Sequence, residues 1–180
     1  DQAFGFAYAH MLEGWTRAGA TVIPFSPLND EAPDKTADAL FLPGGYPELH
    51  APRIAANSRF LDGVRRFGRT VYGECGGYMV LGDGLTDVDG HRHTMAGLLP
   101  LETSFATRKL HLGYRQLVCA GGPFPANLRG HEFHYSTATV KTGATPLFHA
   151  RDAAGNDLGA MGQRLGNVMG SYAHIIAEAP

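Results

Sequence analysis

The chain has 180 residues, 44% of them hydrophobic and 18% charged, enough apolar material for one domain with a sizeable core. A formal net charge of −2, with no long run of either sign, excludes the electrostatic footprint of a nucleic-acid binder or of a protein held to an anionic membrane. No apolar stretch approaches the roughly 18 residues of a membrane span. The first residues, Asp1-Gln2-Ala3-Phe4, lack the basic start of a signal peptide, and the two cysteines are expected to be reduced thiols of a cytoplasmic protein.

From the amino end, Phe4 to Arg17 reads as a helix, since Tyr8, Met11, Leu12 and Trp15 recur at helical spacing and Gly19 stands where the helix would stop. A short strand is expected from Thr21 to Phe25. After a Pro- and Asp-rich loop, the apolar run Ala39-Leu40-Phe41-Leu42 predicts a buried strand that ends in Pro43-Gly44-Gly45-Tyr46-Pro47. Ser58 is a candidate cap for a helix with Phe60, Leu61, Val64 and Phe67 on one face. Arg69 to Tyr72 then predicts a third strand before Gly73-Glu74-Cys75-Gly76-Gly77, and Tyr78 to Leu81 a helix after it. From about Thr86 the texture changes to short alternating segments broken by glycine, such as Tyr114 to Ala120 and Glu132 to Val140, which predicts antiparallel strands. Gly121 to Pro125 reads as a loop. The expected fold is α/β, an open, mixed, mostly parallel sheet with helices on both faces. Such domains ordinarily open on a strand, so a chain that opens on a helix is expected to be a fragment whose preceding residues supply that strand and a further domain.

Gly73-x-Cys75-x-Gly77, between a strand and a helix, has the layout of a nucleophile elbow. A side chain on a sharp, strained turn needs neighbours without bulk. The helix that follows would aim N–H groups and a positive dipole end at the sulfur, which predicts a lowered thiol pKa. Cys119, in Leu117-Val118-Cys119-Ala120, is expected to be core. A cysteine nucleophile needs a base. Of nine histidines, His174 in Gly170-Ser-Tyr-Ala-His174 is the best placed to return to the sheet edge that carries Cys75. His91 and His93 read as solvated loop residues. His131 and His134 are harder to dismiss, because Glu132 and His134 would share one face of a strand. Gly45 and Gly76 are the natural backbone donors of an oxyanion hole, as adjacent parallel strands open their loops on one edge.

Four segments in order, Leu42-Pro-Gly-Gly-Tyr-Pro-Glu-Leu49, Tyr72-Gly-Glu-Cys-Gly-Gly-Tyr-Met79, Gly130-His-Glu-Phe-His-Tyr-Ser136 and Gly170-Ser-Tyr-Ala-His174, resemble the cobyrinic or hydrogenobyrinic acid a,c-diamide synthase family. The resemblance covers nearly the whole chain and implies a glutaminase domain, residues 1–180, with the flavodoxin-like fold of class I glutamine amidotransferases. It implies that Cys75 attacks the glutamine amide, that His174 handles protons, and that the ammonia serves amidation of the a and c acetates of a corrinoid. The partners implied are glutamine, an ATP-dependent synthetase domain that precedes this one, and the corrinoid. No cofactor or metal is expected within the chain, which has no Gly-x-x-x-x-Gly-Lys-Ser/Thr loop; ATP and Mg2+ would belong to the synthetase domain.

Two departures bear on the site. Many class I amidotransferases carry a glutamate two residues after the histidine, where this chain has Ile176, so the orienting carboxylate is expected to be absent. Met79 stands where several place a glutamine, so substrate contacts are expected from Gly44, Tyr46 and the backbone of Phe133, His134, Tyr135 and Ser136. The alternatives are a cobyric acid synthase or other tetrapyrrole amidase, a non-catalytic docking module, and a metal site of Cys75, His131 and His134, for which closely spaced ligands are lacking. Arg108, Lys109 and His111 form a basic patch, read as a solvated loop.

Overall fold

Short apolar runs that alternate between two faces organise the centre of the molecule. The computed structural model describes residues 1–119 and 121–179. Helix α1 (Ala9–Arg17), strand β1 (Ala39–Leu42), helices α2 (Ala51–Ala56) and α3 (Ser58–Arg65), strand β2 (Thr70–Glu74) and helix α4 (Gly76–Leu81) make up the first half. The rest is β-structure: β3 (Gly84–Thr86), β4 (Arg92–Thr94), β5 (Leu101–Ser104), β6 (His111–Cys119), β7 (Asn127–His134), β8 (Thr137–Val140), β9 (Phe148–Asp152), β10 (Asp157–Met161), β11 (Gln163–Leu165), β12 (Val168–Ser171) and β13 (Ala173–Glu178).

β2 lies between β1 and β12, parallel to both, and β11 closes that sheet antiparallel to β12. Successive strand residues point to opposite faces. In register, Leu40, Val71 and Val168 share a core with Phe60, Leu61 and Val64 of α3 and Val80 and Leu81 of α4. The next row, Phe41, Tyr72 and Met169, faces the other way, where Trp15 of α1 meets Phe41 edge-on at 5.3 Å and Phe124 meets Tyr72 at 4.7 Å. Helices thus cover both faces, as the α/β reading expects. The parallel portion is narrow, and antiparallel strands take up the rest: a five-stranded sheet, β10-β9-β6-β7-β13, and a four-stranded one, β4-β3-β5-β8, in which β3 and β5 alone are parallel. Tyr172 is the single residue between β12 and β13, so the chain passes from the parallel sheet to the five-stranded one in one step. Among the described residues, no helix is long and apolar enough to cross a membrane.

Several local expectations are corrected. The first helix begins at Ala9, because Phe6 is drawn into an antiparallel bridge with Gly44. Thr21 to Phe25 is not a strand: nothing among the described residues pairs with it, and Val22 and Ile23 remain exposed. Ser58 begins α3 but does not cap it. Instead Asp30, in a left-handed conformation, accepts the Phe60 N–H at 2.8 Å from the neighbouring loop. Glu132 to Val140 is two strands split at Tyr135 and Ser136. Cys119 is only partly buried, at the rim of the second core, and the predicted strand end at Ala120 lies outside the described residues. His93 sits on β4, with Nε2 2.7 Å from Asp87 Oδ2.

Candidate active site

Cys75 leaves the middle strand of the parallel trio and is the residue before α4. Its φ of 46° is rare for a residue with a side chain. Two backbone bonds clamp the turn to both neighbours of β2: Cys75 N–H donates to Ser171 O at 2.8 Å and Gly77 N–H to Pro43 O at 3.1 Å. The flanking glycines are sterically required. A Cβ on Gly73 would lie 2.7 Å from Gly77 C, and one on Gly76 would lie 2.7 Å from Pro47 Cδ and 3.1 Å from Gly45 N. Gly45 and Gly76, the expected oxyanion donors, are therefore side by side at the elbow.

His174 is the second residue of β13, paired across from His131 on β7, with ring centroids 4.8 Å apart. Its Cε1 points at Gly44, where an added Cβ would lie only 2.2 Å away. Gly44, Gly45, Cys75, Gly76 and His174 thus meet at the carboxyl edge of the parallel strands, where open α/β folds bind ligands. The Cys75 Sγ lies 3.8 Å from Phe133 O. Around this point Tyr46, Phe133 and Tyr135 are about half exposed, as is Phe6, whose ring meets those of Tyr46 and His174 at 5.5 and 6.3 Å.

His134 and Ser136 lie apart from that rim, and their side chains are buried. His134 Nε2 meets Glu132 Oε1 at 2.9 Å, His134 Nδ1 lies 3.1 Å from Ser136 Oγ, and Ser136 Oγ donates to Tyr172 Oη at 2.9 Å. The Arg115 guanidinium holds Glu132 Oε2 at 2.8 Å, and the His134 ring stacks on Tyr172 at 3.7 Å. What these residues present at the sulfur is backbone, through Phe133 O. His111, Glu132 and His134 come close enough together to be considered for a metal, but Arg115 places a fixed positive charge on that carboxylate and the donors already bond one another. Cys75 and His131 are not part of that group. Arg108 and Lys109 are exposed, with the Lys109 N–H donating to Tyr135 O at 3.0 Å, while His111 is half-buried against the His134 ring.

The electrostatics correct one expectation. Burial, with Glu48, Glu74 and Glu132 nearby, pushes the Cys75 thiol up to about 12, against the Gly76 N–H, which acts in the lowering direction. The expected lowering by the helix end is outweighed. Burial likewise takes His174 down to about 4, helped by His131 and His134, and raises Glu74 to about 8.

Glu74 is the residue that sequence reasoning missed. Its side chain, 6% exposed, places Oε2 3.8 Å from His174 Nδ1, while Oε1 accepts the Ile175 N–H at 3.0 Å and the Tyr72 O–H at 3.2 Å. The available signal was a carboxylate closing an otherwise uncharged, buried strand directly before the nucleophile.

This pair predicts a pH-dependent stability. Glu74 is raised from an ordinary 4.5 to about 8, so its contribution is complete below about 4.5 and lost as pH rises through about 8. His174 is depressed from 6.5 to about 4, so its contribution is complete above 6.5 and lost as pH falls through about 4. The two slopes oppose each other between 4.5 and 6.5. From 6.5 to about 8 only Glu74 of the pair acts, and stability is expected to fall by about 2 kcal/mol, at ~1.4 kcal/mol per pH unit. Tyr72, Tyr8, Cys75, His131 and His134 also face the pair. Urea unfolding across that window, compared with Glu74→Gln, isolates the carboxyl; parallel curves would show that it does not titrate there.

Comparison with known proteins bears on the family and the fold. Residues 3–180 match the family model of the CobB/CobQ-like glutamine amidotransferase domain. The chain is 56% identical over 180 residues to a hydrogenobyrinate a,c-diamide synthase of Brucella anthropi, covering 98% of this chain and 41% of that protein. It is 55% identical over 184 residues to the synthase of the same name from Rhodobacter capsulatus, covering 98% and 42%. It therefore spans about two-fifths of the length of these curated relatives. Among solved structures, a glutamine amidotransferase of Thermotoga maritima is similar at a TM-score of 0.59 and 16% identity, over 91% of this chain and 68% of the other. A second glutamine amidotransferase gives 0.59 at 18% identity, over 91% and 82%. At such identities the likeness is one of fold.

Proposed function

Because the chain belongs to the family of CobB/CobQ-like glutamine amidotransferase domains, we propose that it hydrolyses glutamine to glutamate and ammonia through a thioester on Cys75. The observation that carries this is the juxtaposition of Cys75, on a strained turn, with the Gly45 and Gly76 backbone and the His174 ring packed against Gly44. The resting site holds a neutral thiol and a neutral imidazole. As the sulfur attacks the side-chain amide carbon, the C–S bond forms and the thiol proton passes to His174. The oxyanion that develops is taken by the Gly45 and Gly76 N–H groups. His174 then gives its proton to the nitrogen, the C–N bond breaks and ammonia leaves. Water, deprotonated by His174, attacks the thioester, and the C–S bond breaks to release glutamate and restore the thiol. The half-exposed aromatic rim of Phe6, Tyr46, Phe133 and Tyr135 and the Phe133 backbone are proposed to seat the substrate.

The relatives are longer synthases named for a,c-diamide formation on hydrogenobyrinate. On that basis the ammonia is proposed to pass to an ATP- and Mg2+-dependent synthetase domain that amidates the a and c acetates of a corrinoid in cobalamin biosynthesis, in the cytoplasm. The test is incubation with a glutamine-analogue electrophile, followed by peptide mapping and glutamate release. One adduct on Cys75 is expected, with Cys119→Ser labelled at the wild-type rate. Labelling of Cys119 instead, or no adduct and no glutamate, would overturn the reading.

A further inference from the structure

We infer that Glu74 is the positioning carboxylate of His174, filling from the strand before the nucleophile the role for which Ile176 leaves no acid. The inference rests on the proposed glutaminase reading for its catalytic meaning, but its geometry stands alone. Glu74 Oε2 faces His174 Nδ1 at 3.8 Å, with both side chains 6% exposed. The carboxyl cannot turn freely, because Oε1 is held by the Ile175 N–H, on the strand that bears His174, and by the Tyr72 O–H, on its own strand. The His174 ring is confined from another side by Gly44. Contacts of this kind are often long in a free enzyme and shorten when substrate binds.

The arrangement selects a tautomer. Above the Glu74 titration at about 8, with Oε2 ionised, Nδ1 keeps its hydrogen and donates toward Glu74, which leaves the Nε2 lone pair to accept the Cys75 proton. The imidazolium so formed in a buried site then has a counter-charge, and the Nδ1 proton stays on nitrogen throughout.

Glu74→Gln separates this role from mere packing. The amide oxygen can still accept from Ile175 and Tyr72, which fixes the NH2 where Oε2 stood. It would then donate toward Nδ1 and force the imidazole hydrogen onto Nε2. In 15N NMR of histidine-labelled protein at about pH 9, above the Glu74 titration, His174 is expected to carry its hydrogen on Nδ1 in the wild type and on Nε2 in the variant. His174 signals are identified by their loss in His174→Asn. In the same preparations at that pH, kcat for glutamine hydrolysis is expected to fall on the order of 10²-fold with little change in KM. An unchanged tautomer, or wild-type kcat in Glu74→Gln, overturns the inference. A tautomer that switches in a protein that never releases glutamate upholds the positioning role and counts against the glutaminase reading instead.

Discussion

Cys75→Ser is expected to lower glutamine hydrolysis by about 10⁴-fold or more, while leaving the unfolding midpoint nearly unchanged. Serine is close to isosteric with cysteine and keeps the N–H that donates to Ser171 O. The strain of the φ at 46° is common to both residues and cancels in the comparison. The chemistry changes far more. Burial and three carboxylates already push the thiol up to about 12, so the site gives no help to an ionised nucleophile before substrate arrives. An alcohol, intrinsically harder to deprotonate, inherits the same penalty with a weaker nucleophile. Cys119 is half-buried at the edge of the second core, with its sulfur 3.4 Å from Gly121 O, and Cys119→Ser is expected to hydrolyse glutamine as the wild type does. Glutamate release followed by a coupled dehydrogenase assay decides the matter. More than about 1% of wild-type turnover in Cys75→Ser would remove the sulfur from the chemistry.

The elbow was legible because its constraints are local. A strand, a glycine on each side and a helix are written within twelve residues, and the bulk that Gly73, Gly76 and Gly77 exclude is supplied by segments adjacent to the turn or one strand away. The parallel trio was legible for a similar reason, since continuous apolar runs such as Ala39 to Leu42 and Val71 to Tyr72 need burial on both faces. What the sequence did not carry was pairing over distance. Thr21 to Phe25 has the residues of a strand and no strand to pair with among the described residues. The cap of α3 comes from Asp30, 30 residues before the N–H it accepts. Glu132 and His134 were expected to share a face and do so, but that they join Arg115, Ser136 and Tyr172 in a buried chain depends on two strands and two junctions. Glu74 was hidden differently. The chain onward from His174 offers Ile176 where an acid is expected, whereas β13 passes the end of β2 and brings a carboxylate 100 residues earlier to the same ring.

Gly44→Ala and Gly77→Ala are expected to fail in opposite ways, although each adds one methyl group within the same few ångströms. At Gly77 the new Cβ would lie 2.0 Å from Leu42 O and 2.6 Å from Leu42 C. Both are backbone atoms of a strand residue that is 1% exposed, so neither can swing aside. α4 must lift off β1, breaking the Gly77 to Pro43 bond that clamps the elbow. The expected cost exceeds about 4 kcal/mol, enough to remove most of a typical domain's stability. At Gly44 the three nearest atoms all belong to the His174 ring, 2.2 Å from Cε1 and 3.1 Å from each ring nitrogen. A ring can rotate away, so the fold is expected to survive with a change within about 1 kcal/mol. The rotation carries Nδ1 from Glu74 and Nε2 from its working position. A displacement near 1 Å in a catalytic group costs on the order of 10²-fold in rate. Thermal unfolding and glutamate release on both variants distinguish the two fates. If Gly44→Ala retained full activity, the His174 ring would not need the place the structure gives it. If Gly77→Ala folded with wild-type stability, the close contact between α4 and β1 would not be what holds Cys75 on its turn.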